Sequence, residues 1–259
     1  MLIHPTLEQL QEMRLPGFAQ ALKEQMEQRD LSGLDFMARL SLLVDREASY
    51  RADRRLRTRL KRAKLRQRAS VEDVDFRAAR GLDIRLFLSL SSCRWIHERL
   101  NLLLTGPTGS GKSFLACALG EKACREGHTV QYHRMTRLLG DLSIARGDGR
   151  YPKLMASLAK TDLLILDDWG LGPLTDFHRR DLLELLEDRH DRRSTLVTSQ
   201  LPVEAWHEWI ADPTLADAIL DRIVHNAYRL ELKGESMRKR RGLQPSIEPE
   251  IETPRKDDP

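Results

Sequence analysis

The chain has 259 residues, 41% of them hydrophobic and 32% charged, which is apolar enough for one or two folded domains and rules out a disordered polymer. The formal net charge is +4, yet residues 51–68, RADRRLRTRLKRAKLRQR, hold ten Lys or Arg against one acid, Asp53, so the remainder is net acidic. Positive charge concentrated in this way points to a polyanionic partner, nucleic acid or an anionic membrane surface. Cys93, Cys117 and Cys124 match neither zinc spacing nor a secreted disulfide framework and read as buried small hydrophobes of a reducing compartment. The N-terminus, MLIHPTLEQLQEM, lacks the basic and apolar regions of a signal peptide, and no run nears a membrane span. A soluble, cytoplasmic protein without a membrane partner is expected.

From Thr6 to about Leu65 the apolar period is helical. Leu7, Leu10 and Met13 form one stripe; Pro16-Gly17 breaks the chain; Phe18, Ala21, Leu22 and Met26 resume it. A third helix should start between Ser32 and Asp35, with the stripe Phe36, Leu40, Leu43 and Val44 continuing through the basic run as Leu56, Leu60 and Ala63. Ser70, three residues before Asp73, reads as a fresh helix start close to a capping box. Beyond Arg99 the period changes to short strand-like runs at 101–106, 128–135, 162–169, 194–200 and 227–234, separated by helical patterns. Such alternation predicts βαβ units and a mostly parallel sheet covered on both faces. The proline-rich, charged end, PSIEPEIETPRKDDP, reads as a disordered tail. The expected division is a helical N-terminal domain at 1–69, an α/β nucleotide domain at 70–244 and a tail at 245–259.

Gly106-Pro107-Thr108-Gly109-Ser110-Gly111-Lys112-Ser113 fits G-x-x-x-x-G-K-[ST], directly after an apolar strand and before the helical FLACALGEKAC. Glycines let consecutive backbone N–H groups face phosphate oxygens, and the helix that begins at Phe114 adds its positive dipole end. Lys112 is expected at the β- and γ-phosphates of ATP and the Ser113 hydroxyl on Mg²⁺. About 55 residues later Leu163-Leu164-Ile165-Leu166 ends in Asp167-Asp168. Asp167 is the expected magnesium-side acid, and Asp168 is placed to polarise the attacking water, so hydrolysis is expected rather than binding alone. The next strand, STLVTSQ, ends in Thr198, Ser199 and Gln200; any of them could sense the γ-phosphate, and Ser199 is the preferred candidate.

The phosphate loop, LILDDWG, STLVTSQLPVEAWHEW and above all LADAILDRIVHNAYRLELKGESMRK resemble the IstB family of insertion-sequence ATP-binding proteins, relatives of the DnaC helicase loaders. LPGFAQALKEQ and FMARLSLLVDRE extend the likeness into the helical part. The resemblance implies an AAA+ P-loop ATPase core, a five-stranded parallel sheet sandwiched by helices, preceded by a small all-α domain. It implies that the fourth strand lies between the first and third, and that the protein forms a homo-oligomer. Arg222 matches the arginine-finger position that reaches a neighbour's nucleotide, and Arg238 matches a second sensor position. Two departures stand out: Asp168 replaces the Glu of most AAA+ members, and the residues after Gly234 are too few for the usual helical lid.

The basic run has almost no acids to pair with and no aromatic to stack on bases, which favours duplex phosphates over single strands. Arg54, Arg55, Arg57, Arg59, Lys61, Arg62, Lys64 and Arg66 are the expected contacts, holding DNA without reading its sequence. With the resemblance, the expected function is an ATP-dependent ATPase that assembles on duplex DNA and assists a partner transposase in target selection. A replicative helicase loader, a DNA-bending protein with a structural nucleotide and a small-molecule kinase are the rivals.

Overall fold

The computed structural model describes residues 5–27 and 33–234. Helices α1 (Pro5–Glu12), α2 (Pro16–Glu27) and α3 (Phe36–Ala63) come first, followed by the short α4 (Ile84–Leu90) and α5 (Arg94–His97). The α/β part then runs β1 (Asn101–Thr105), α6 (Lys112–Arg125), β2 (Val130–Arg134), α7 (Met135–Gly147), α8 (Tyr151–Lys160) and β3 (Leu163–Trp169). It closes with α9 (Asp176–Arg189), β4 (Ser194–Ser199), α10 (Trp206–Ile210), α11 (Pro213–Val224) and β5 (Ala227–Glu231).

All strand pairs are parallel, in the order β2-β3-β4-β1-β5. β4 therefore lies between β1 and β3, as the family resemblance implies. Alternate strand residues enter two cores: Leu102, Leu104, Ile165 and Leu196 face one, and Leu103, Leu164, Leu166 and Val197 face the other. A strand covered on both faces needs apolar residues at every position, which is why Leu102 to Leu104 in β1 and the first four residues of β3 read as continuous apolar runs while the edge strands β2 and β5 do not.

Helix α3 starts where Asp35 caps it, accepting from the Ala38 amide at 2.7 Å. It runs for 28 residues, about 42 Å, and ends where Lys64 turns left-handed at φ +50°. Its first half packs on α2 through Leu43, and its second half belongs to the sheet, because Leu56, Leu60, Ala63 and Leu65 join the core cluster of α6. A division at residue 69 thus falls inside one packed cluster.

Several local expectations differ from what forms. Phe36 and Val44 are 67% and 51% exposed because α2 covers only one side of α3, and Met13 and Met26 also face solvent. Ser70 opens no α-helix: Val71–Asp73 is a single 3₁₀ turn, and the Ser70 hydroxyl donates to the Asp73 carboxylate at 2.6 Å instead of capping a backbone amide. The three cysteines are free and buried, as expected, and burial pushes the Cys93 thiol up to about 11 and the Cys124 thiol up to about 12. Among the described residues no helix is long and apolar enough to cross a membrane. The expected tail lies outside them.

Close packing of α2 on α3 depends on Gly17, where an added Cβ would lie 2.8 Å from Tyr50 Cβ and 3.0 Å from the Arg46 carbonyl oxygen. Gly17→Ala should therefore destabilise this contact by about 1–3 kcal/mol. Limited proteolysis should cut α1–α2 earlier in the variant, with nucleotide affinity unchanged, because the phosphate loop packs in another cluster.

Candidate nucleotide site

Between β1 and α6 the chain turns through glycines that a side chain could not replace. Gly106 has φ +143° and lies against the Leu232 carbonyl, and Gly111 has φ +97° at the start of α6. The loop closes on Lys112, whose Nζ donates to the carbonyls of Gly106 at 2.7 Å and Pro107 at 2.9 Å. Burial pushes this ammonium's pKa down, opposed by Asp167 and Asp168. The Ser110 hydroxyl is buried without a partner. Thr108 donates through Oγ1 to Gln200 Oε1 at 2.6 Å, tying the loop to the end of β4.

Asp167 is fully buried at the end of β3. Ser113 Oγ donates to its two oxygens at 2.9 and 3.0 Å. Thr198 Oγ1 and the Tyr132 phenol each donate a short hydrogen bond to it, and Arg66 Nη1 lies 3.3 Å away. Burial, and then the bond to Asp167, push the Tyr132 pKa up, so the phenol stays a neutral donor. Asp168 stands at a register shift in β3 with φ +63°. This left-handed turn breaks the strand alternation and leaves its carboxylate at the cleft, 3.0 Å from both Nε and Nη2 of Arg134 and 3.9 Å from Arg66.

The resulting cleft, about 350 Å³, is lined by Arg66, Arg80, Lys112, Ser113, Arg134 and Asp168 among others. Its chemistry fits ATP with Mg²⁺. Loop amides from Gly106 to Phe114 and four cationic side chains suit a polyphosphate, while Ser113 Oγ and the Asp167 carboxylate offer the hard oxygen donors that Mg²⁺ takes.

Three sequence expectations are corrected. Ser199 is fully buried and points away from the cleft, donating to the Trp169 carbonyl at 2.8 Å and accepting from the Leu201 amide at 3.0 Å. Strand alternation gives the two acids to Thr198 instead, which also accepts from the Asp168 amide at 3.2 Å, and Gln200 lines the cleft. Arg66 faces the nucleotide acids rather than an outer surface, because the helix ends at Lys64. Arg59 is tied to the core through Nε to the Cys124 carbonyl at 2.8 Å. Arg54, Arg55, Arg57, Lys61, Arg62 and Lys64 remain exposed and form no ion pair among the described residues. Arg222 lies on α11, outside the cleft, ion-paired to Glu187. Arg238 lies outside the described residues. Tyr132, Arg134 and Arg80 were not anticipated; only Arg134 had a readable signal, since parallel register sets it opposite Asp167.

If the cleft hydrolyses ATP, Thr198→Val, which takes a donor from the buried Asp167 carboxylate, should slow turnover at saturating ATP about tenfold, the rate equivalent of one such bond. Ser199→Ala should leave the rate within about threefold but destabilise the fold by about 1–3 kcal/mol, since it orphans a buried amide and carbonyl. Steady-state kinetics and thermal unfolding of both variants check the pair.

The family description "IstB-like ATP binding protein" matches residues 8–245. An insertion-sequence ATP-binding protein of Sinorhizobium fredii is 55% identical over 239 residues, covering 92% of this chain and 98% of its own length. The IS21 ATP-binding protein of Pseudomonas aeruginosa is 31% identical over 252 residues, covering 97% and 94%. Among solved structures, DnaI aligns at TM-score 0.57 and 21% identity over 64% of this chain and 92% of its own. The replication initiator DnaA, bound to AMPPCP and single-stranded DNA, aligns at TM-score 0.53 and 15% identity over 67% and 53%. These two show the fold alone, a parallel sheet with helices packed on it. On the family match and the extent of its relatives, the chain belongs to the IstB-like ATP-binding proteins.

Proposed function

We propose that this protein is an ATP-switched AAA+ ATPase that assembles as a homo-oligomer on duplex DNA and, while ATP-bound, recruits or activates the transposase of its insertion element for target selection. One observation carries the reading: helix α3 and its cap bear the exposed cations Arg54, Arg55, Arg57, Lys61, Arg62 and Lys64, and the chain leaving them sets Arg66 beside Asp167 and Asp168. The polyanion surface and the nucleotide acids thus belong to one rigid unit, docked on α6 through Leu56, Leu60 and Ala63. The insertion-sequence relatives support the transposition context.

In this reading Lys112 meets the β- and γ-phosphates, Ser113 and Asp167 hold Mg²⁺, which neutralises charge on the phosphates, and Asp168 polarises the attacking water. Thr198 and Gln200 take the sensing role. Arg222 acts on a neighbour's nucleotide after leaving Glu187. A trans arginine can be worth about 10³–10⁵ in rate, so an isolated subunit should hydrolyse slowly, and hydrolysis serves as a timer for release. ATP drives assembly only as far as it binds the assembled state better than the free one.

If about five of the exposed cations meet phosphates, log affinity for duplex DNA should fall with log salt at a slope of roughly −4 to −5. Replacing Arg54, Arg57, Lys61 and Arg62 with Ala should flatten that slope, and Lys112→Ala should abolish ATP-dependent assembly seen by electron microscopy. Equal assembly with ATP, ADP or neither would remove the switch. Preference for single-stranded DNA would favour the helicase-loader alternative.

A further inference from the structure

Among the described residues two arginines are almost fully buried, Arg189 in the α/β part and Arg80 in the segment before it, and they differ in one respect. Arg189, 1% exposed, donates to the carbonyls of Leu158, Thr161 and Ser194 and to Thr195 Oγ1. That is how a structural buried guanidinium looks: every side of the fork has an acceptor. Arg80, 3% exposed, has among the described residues only the Asp75 carbonyl as a side-chain acceptor, 3.2 Å from Nη2. Its Nε is buried without a partner, and it forms no ion pair among the described residues. Burial pushes its pKa down, against the charge of Asp75.

The guanidinium is nevertheless held in place. The Arg80 backbone accepts from the Lys233 amide at 2.7 Å, and Gly234 lies against the Ala79 carbonyl, so the segment is fastened to the chain leaving β5. Nη1 sits against the phosphate loop, 2.7 Å from where a Cβ on Gly111 would be, and the side chain lines the nucleotide cleft. A desolvated cation with no carboxylate at ion-pair distance is costly in the empty protein, and it persists where a ligand supplies the missing charge.

We propose that Arg80 is a phosphate-binding residue of the cleft, taking the nucleotide's phosphate chain at the Gly111 side of the loop. The assignment rests on the nucleotide-site reading above. It makes Arg80 a cation supplied in cis by the segment preceding the α/β part, fixed before nucleotide arrives.

Arg80→Met and Arg80→Lys, titrated with ADP by calorimetry and melted without nucleotide, test it. Arg80→Met should weaken ADP about tenfold or more, the range for a charge-assisted bond to phosphate, while the melting temperature of the empty protein holds or rises. Arg80→Lys should recover most of the affinity. ADP affinity within about twofold of the parent in Arg80→Met, or a lower melting temperature for the empty variant with no recovery by Lys, would overturn the assignment. Failure of the parent itself to bind ADP would sink the site reading and the role of Arg80 with it, a result distinct from either.

Discussion

A carboxylate at zero exposure must be met by donors on all sides, and Asp167 organises this molecule because its donors come from four different elements. Ser113 reaches it from the start of α6, Tyr132 from β2, Thr198 from β4 and Arg66 from the chain leaving α3. The strand order is what makes this possible: β3 has β2 on one side and β4 on the other, and β4 in turn carries β1 and its phosphate loop. One buried charge thereby sets the relative positions of the loop, two neighbouring strand ends and the basic helix. Ser113 and Asp167, the residues that would hold Mg²⁺ with a nucleotide, are thus the same ones on which these elements converge.

Helix α3 extends that connection outward. Its exposed cations and its core-facing Leu56, Leu60 and Ala63 occupy opposite sides of the same turns, and Arg59 pins it to the end of α6. Since α6 begins at the phosphate loop, the proposed DNA surface and the loop ride on two helices locked together. Coupling between sites needs a shared element that both ligands bias, and this pair has the form for it.

Much of this was legible in the chain. The apolar runs of β1 and β3 were visible because burial on both faces makes them continuous, and the phosphate loop because few backbones besides one built on glycine can follow its path. The acids were legible as the polar end of an apolar run. What escaped depended on local geometry. The choice of Ser199 failed because strand alternation past the bulge in β3 assigns the acids to Thr198. Arg66 was grouped with the DNA contacts because composition does not reveal that Lys64 turns left-handed and ends the helix two residues earlier. Arg80 had no periodic neighbour at all; its place is set by a backbone pairing with Lys233, distant in sequence. Phe36 and Val44 shared the helical period of Leu43 but lacked a covering helix.

The backbone at Asp168 bears on a question of residue choice. The resemblance read from the sequence sets Asp168 against a Glu in most AAA+ members, one methylene longer. At φ +63°, however, the residue sits in the left-handed region, where Asp is enriched several-fold and longer side chains are not. The same turn carries the carboxylate toward the cleft and into the grip of Arg134. Residue choice and backbone handedness are thus one constraint at this position: a Glu placed here would have to hold a left-handed turn that its side chain does not favour.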